Sequence, residues 1–181
     1  MRRGFTLIEL LVVIAIIGML TSVIIASLSS ARVKSRDSRR IADLKQVQIA
    51  LELYYDEMGE FPSPGAGNAS NASIAFTNMA ETLKSAGYIP SIAVDPINDT
   101  NHKYLYVPLK SSSATKCKSY HMGATLESIS GDASYLNSDS DAVTAGTSIC
   151  KASPVNNFNG TGAPCGTNTT SALDTCYDLT P

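Results

Sequence analysis

The 181 residues predict an α+β fold, in which one long N-terminal helix packs on a small antiparallel β-sheet head with a loop-rich, disulfide-bearing C-terminal region. Three observations carry that prediction. A helical pattern extends from about Phe5 to Met58, with no Gly or Pro between Met19 and Met58. Two short aromatic and β-branched runs come later, at about residues 103–108 and 119–127. Beyond Ser128 the chain turns to Ser, Asp, Asn, Gly and Thr and holds three of its four cysteines. The organisation expected is a leader at 1–4, an apolar helix half at 5–30, an amphipathic half of the same helix at 31–58, and a head at 59–181 whose tail, 129–181, is irregular.

The apolar half comes first. Residues 5–26 are about 22 positions, which as a helix reach about 33 Å, enough to cross a bilayer. Glu9 is the one charge in that run, and a carboxylate in hydrocarbon costs a few kcal/mol, so it calls for a partner. Upstream stands only Met1-Arg2-Arg3-Gly4, too short for an ordinary secretory signal. Cleavage after Gly4 would give Phe5 a new α-amino group, a cation able to sit beside Glu9 of a neighbouring chain. A plain signal anchor leaves Glu9 unexplained. A secretory signal cut near Ser29-Ser30-Ala31 would have an overlong apolar core interrupted by a charge.

The second half is amphipathic. Ile41, Leu44, Val47, Leu51, Tyr54 and Met58 recur at steps of three or four and line one face. Gly59, Pro62, Pro64, Gly65 and Gly67 end the helix, which would be roughly 80 Å long. Arg32, Lys34, Arg36, Arg39, Arg40 and Lys45 crowd its start and read as a solvated surface near lipid headgroups or a neighbour's acidic face. Beyond them six lysines stand against thirteen carboxylates from Glu52 onward, so the head is acidic and a poor nucleic-acid surface. Counted alone, the basic cluster would keep the head in the cytoplasm. The placement of all four cysteines past the apolar run argues for export instead.

Arg3-Gly4-Phe5-Thr6-Leu7-Ile8-Glu9-Leu10 resembles the processing site of type IV pilins and of the pseudopilins of type II secretion. The resemblance extends through residues 41–55 to Gly59-Glu60-Phe61-Pro62 and to Gly87-Tyr88-Ile89-Pro90, Asp95-Pro96 and Tyr104-Leu105-Tyr106. It implies cleavage after Gly4 by a prepilin peptidase, N-methylation of Phe5, and a Glu9 that pairs with the Phe5 amine of the next subunit during assembly. It implies a homo-oligomeric helical filament served by a membrane platform and an assembly ATPase. The precursor would sit in the cytoplasmic membrane as a single-pass protein with its head outside, and the product would be an extracellular pilus or a periplasmic pseudopilus. Two departures stand out. Ala26 occupies the place of a proline found in many members, and Asp95-Pro96 lacks the tryptophan and glycine that usually follow.

In the head, residues 63–73 read as a surface loop. A short helix should follow, with Asn78 and Glu81 as a capping box, Met79 and Leu83 as an apolar pair, and Gly87 at its stop. Asp95-Pro96 initiates a turn. The first strand, with Tyr104, Leu105, Tyr106 and Val107, is confined by Pro108 to an edge or a boundary. Alternation of Tyr120, Met122, Ala124 and Leu126 marks a half-buried second strand, with residues 110–118 as a hairpin loop. Tyr54, Tyr55, Tyr104 and Tyr106 read as core or subunit contacts. Cys117, with Cys150, Cys165 and Cys176 of the tail, permits three pairings, of which Cys117 with Cys150 and Cys165 with Cys176 would close short loops.

No cofactor is expected, with one structural exception. Asp132, Asp139 and Asp141 are hard oxygen ligands that suit calcium, and the resemblance places a calcium loop in a similar position. The cysteine spacings do not suit zinc. Sequons at Asn68, Asn71, Asn98, Asn159 and Asn168 reflect an Asn/Ser/Thr-rich composition. With two histidines and no nucleophile or metalloprotease motif, nothing points to an enzyme. The expected function is a filament subunit; its alternatives are a major pseudopilin of type II secretion and a tip-located adhesin or DNA-uptake minor pilin.

Overall fold

A computed structural model describes residues 5–63, 71–110, 116–128, 139–140, 148–149, 158, 165 and 175–181. The elements are α1 (Leu7–Met58), α2 (Ala72–Ser85), β1 (Tyr104–Lys110), β2 (Ser119–Thr125), β3 (Ser148–Ile149) and β4 (Cys176–Leu179). The chain divides into two compact units, Met1–Arg36 and Asp37–Pro181, and α1 contributes to both.

In the first unit α1 is apolar on nearly every side as far as Ile25. Its large side chains are exposed, Leu7 at 79% and Ile8 at 74%. That is the profile of a helix whose solvent is not water.

In the second unit α1 buries Leu44, Val47, Ala50 and Leu51. It stops where expected: Gly59 adopts φ 69, and its N–H reaches the Tyr55 carbonyl at 2.7 Å. Lys118 Nζ donates to the Gly59 carbonyl at 2.8 Å, a cation placed at the negative end of the helix. The second helix starts earlier than its composition suggests. Asn71, inside the stretch read as loop, is the N-cap, its Oδ1 accepting from Ile74 N at 2.9 Å. Asn78 is an interior helical position whose carbonyl takes a hydrogen bond from Thr82 Oγ1. The buried stripe Ala72, Ala75, Phe76, Met79, Ala80 and Leu83 explains the longer helix, because two further turns bury apolar surface that a loop would leave wet. At its end Tyr88 N bonds Leu83 O and Gly87 N bonds Lys84 O, a Schellman motif around Gly87 at φ 88.

The sheet has the order β3-β1-β2-β4, antiparallel throughout. Two of its strands lie in the tail expected to be irregular. β1 is therefore not an edge, and it runs through Pro108, which faces Tyr120 of β2. β3 pairs only with Leu109 and Lys110, so the proline, which has no N–H to give, falls just outside that ladder. The register puts Tyr104, Tyr106, Tyr120, Met122 and Ala124 on one face. There Tyr104 packs on Phe76 of α2, Tyr120 on Phe61, and the Tyr104 hydroxyl bonds Asp43 of α1 at 2.7 Å. β2 is not half-buried: His121 and Gly123, on the other face, are covered as well, with Phe158 of the tail lying over them.

Candidate functional site

Three polar constellations interrupt otherwise apolar surroundings. At the start of α1, Thr6 N and Thr6 Oγ1 donate to Glu9 Oε2 at 2.9 and 2.8 Å, and Glu9 N donates back to Thr6 Oγ1 at 3.3 Å. This reciprocal capping box satisfies donors that the first helical turn would otherwise leave open, and it fixes the carboxylate at the positive end of the helix. Among the described residues nothing donates to the second oxygen, Oε1. Further along, Thr21 Oγ1 bonds the Ile17 carbonyl and Ser22 Oγ the Met19 carbonyl, so these hydroxyls are closed within the helix. Gly4 lies outside the described residues. The threonine has a sequence signal, Thr-x-x-Glu before an apolar run, that an emphasis on Glu9 alone overlooks.

The second constellation corrects the reading of the basic cluster. Arg40 is fully buried, not solvated. Its Nε and Nη2 grip the two oxygens of Asp95 at 2.7 and 3.0 Å, and Nη1 reaches Asp37 and Glu127, each at 2.7 Å. Asp37, also buried, accepts from Glu127 N, Ser128 N and Ser128 Oγ. Asp95 accepts from Ile97 N and Asn98 N, the turn expected at Asp95-Pro96. Burial on its own would lower the Arg40 pKa. The bonds to Asp95, Glu127 and Asp37, with the charge of Asp95, outweigh burial and hold it above its ordinary value. One guanidinium thus ties α1 to the loop before β1 and to the end of β2. Nothing in the sequence joins Arg40 to partners 55 and 87 residues away.

The third lies on the outer sheet face. His121 Nε2 stands 2.6 Å from Asp178 Oδ2, both fully buried, and the imidazole stacks on Phe158 at 3.9 Å between centroids. Cys165 and Cys176 are joined, one of the two expected bridges, and Cys165 N donates to Thr125 Oγ1. Cys117 is buried, its carbonyl accepting from Phe61 N, whereas Cys150 lies outside the described residues. A histidine and an aspartate sealed in this way hold structure and offer no opening to a substrate.

Of the calcium candidates, Asp132 and Asp141 lie outside the described residues. Asp139 Oδ2 accepts from Asp178 N at 3.4 Å, and no group of three metal-ligating side chains occurs among the described residues. Tyr104 and Tyr106 are buried, and the half-buried Tyr54 and Tyr55 pack on Tyr88 and Phe61. Of the sequon asparagines, Asn71 caps α2 and Asn98 sits in the Asp95 turn; Asn68, Asn159 and Asn168 are outside the described residues. α1 is long and apolar enough to cross a membrane.

A family model described as the prokaryotic N-terminal methylation motif matches residues 1–25. The chain is similar to type II secretion system core protein G of Escherichia coli K12, 30% identical over 96 residues, covering 52% of this chain and 66% of that protein. The protein of the same name from Klebsiella pneumoniae is 30% identical over 96 residues, covering 52% and 69%. A fimbrial protein of Neisseria meningitidis serogroup A is 37% identical over 76 residues, covering 41% of this chain and 45% of that protein. The matched stretch is thus just under two thirds of the E. coli protein and less than half of the fimbrial one. No solved structure gives a significant match.

Proposed function

Because the chain belongs to the type IV pilin and type II secretion pseudopilin family, we propose that it is a structural subunit of a helical filament, built from membrane-anchored precursors. The observation that carries this reading is the capping box at the head of an exposed apolar helix. Thr6 holds one oxygen of Glu9 and leaves Oε1 without a donor among the described residues. After cleavage behind Gly4 by a prepilin peptidase, the methylated Phe5 amine of an adjoining subunit supplies the cation that this oxygen lacks. Apolar helix halves leave lipid and stack on one another. Lipid is as apolar as the filament core, so the gain comes from close packing and paired polar groups. A misregistered subunit leaves the carboxylate buried without a counter-charge, at about 3–5 kcal/mol.

The membrane platform and assembly ATPase of the family would drive extraction, with the head on the exported side. Glu9 favours a subunit that adds anywhere along the shaft over one confined to the tip, where no neighbour completes the pair. The acidic, arginine-free head argues against DNA uptake. A major pseudopilin is the second reading, favoured by the matches to core protein G across about half the chain. The test is Glu9→Ala. It should leave the precursor inserted and cleaved while filaments vanish from sheared or membrane fractions; normal filaments from this variant would refute the pairing. Recovery of the methylated chain in sheared surface material assigns a pilus, and its confinement to the membrane fraction a pseudopilus.

A further inference from the structure

The second unit leaves two separate apolar pairs open to solvent, on two different elements. Ile49 and Leu53 of α1 are 64% and 52% exposed and stand one turn apart. Lys45 precedes them by a turn and Asp56 follows by a turn, both exposed, so the four form one stripe with a cation at one end and an anion at the other. The other pair is Val94 and Ile97, 51% and 39% exposed, on the loop before β1. These two flank Asp95, which is buried. The Arg40 fork grips Asp95 from one side, and the same carboxylate accepts from Ile97 N and Asn98 N on the other. Asn98 closes the turn at φ 54. Val94 and Ile97 are therefore displayed on a backbone that is already ordered, which lowers the entropy cost of docking them.

The two pairs cannot meet within one copy. The turn is tied to Arg40, and Ile49 lies about 180° around α1 from Arg40 and about 13 Å farther along it. We propose that the Val94–Ile97 turn of one copy seats on the Ile49–Leu53 stripe of a second copy, displaced along α1. The charges at the margins set the direction. Asp99, exposed just past Ile97, falls beside Lys45 when Ile97 meets Ile49 and Val94 meets Leu53; the reverse seating sets it against Asp56. The patch that is given differs from the patch that receives, so the contact is heterologous. Each copy offers one of each, and the contact propagates without closing on itself. The inference rests on the filament reading above and names which surfaces of the head the neighbouring copies share.

The test places a benzophenone amino acid at Leu53 of the full chain and irradiates the assembled material. The expected product is a dimer whose cross-linked peptide covers residues 92–98 of the second copy. A dimer joined stripe to stripe overturns the proposal, as does an adduct with lipid or with a different protein. Charge variants give an independent reading. Val94→Asp and Leu53→Lys should each lower filament yield about tenfold, and the two combined in one chain should return it to within about twofold of wild type. Both side chains are exposed, so the melting temperature of the head in detergent should not change. A double variant as poor as the worse single one overturns the pairing. Wild-type filaments that lack the cross-link to 92–98 refute this contact alone; a wild-type chain that forms no filament, in sheared or membrane fractions, refutes the filament reading and the contact with it.

Discussion

Replacing Arg40 by Met should produce the largest single loss of stability in the head. The substitution keeps most of the aliphatic volume and removes the guanidinium. Asp37 and Asp95, whose side chains are 0% and 1% exposed, then stay in the interior without their cation. Glu127, 15% exposed, can turn to solvent and adds little. Breaking a buried pair from one side costs about 3–5 kcal/mol. At about 3–4 °C per kcal/mol for a unit of this size, the melting temperature falls by about 10–20 °C. Near-ultraviolet circular dichroism of the full chain in detergent, dominated by tyrosines around β1 and β2, reports the transition. Two companions sharpen the test. Arg39→Met removes a solvent-exposed partner 3.8 Å from Asp43 and should cost about 0–1 kcal/mol. Adding Asp95→Asn to Arg40→Met removes one stranded charge and should recover part of the loss. A drop below about 4 °C for Arg40→Met, or one equal to that of Arg39→Met, would refute the claim that this ion cluster holds the head on α1.

Gly123→Ala should also destabilise, since its Cβ would come within 2.9 Å of Phe158 Cε2 and 3.1 Å of the Tyr177 carbonyl; the ring can shift but the strand cannot, so about 1–3 kcal/mol is expected from denaturant unfolding. Tyr104 and Tyr120 are held above the usual phenol range, first by burial, so their neutral forms favour the folded head. That stability is complete below about pH 10, the unfolded value, and is lost as pH rises beyond it; absorbance at the phenolate band should show both ionising only with unfolding, and early titration would contradict their burial. Thr6→Ala opens the capping box at about 1 kcal/mol. Insertion should persist while filament yield falls severalfold; an unchanged yield would show that Glu9 needs no holding by Thr6.

Much of this architecture is legible along the chain. Local patterns mark α1 and its stop at Gly59, because periodicity, capping and left-handed glycine are properties of neighbouring residues. The same holds for the core of β1 and β2 and for the Schellman stop at Gly87. Local signal and structure part where composition competes with burial. Asn71-Ala72-Ser73 has loop composition, yet Ala72, Ala75 and Phe76 gain from a helix that begins there. β4 is only four residues long, and becomes a strand because β2 offers it an open edge.

The sequence by itself determined the apolar helix, the lone Glu9 at its head and the Gly4-Phe5 junction, and with them the family. Such features act on the nearest residues and on the solvent, so no tertiary contact is needed to read them. Only the tertiary structure decided that Arg40 is an interior cation and that its neighbours Arg32 and Arg39 are exposed, although all stand in one basic run. It likewise brought His121 to Asp178 under Phe158, and Cys165 to Cys176. A buried charge is tolerable only where opposite charges converge on it from distant parts of the chain, and that convergence is a property of the folded whole.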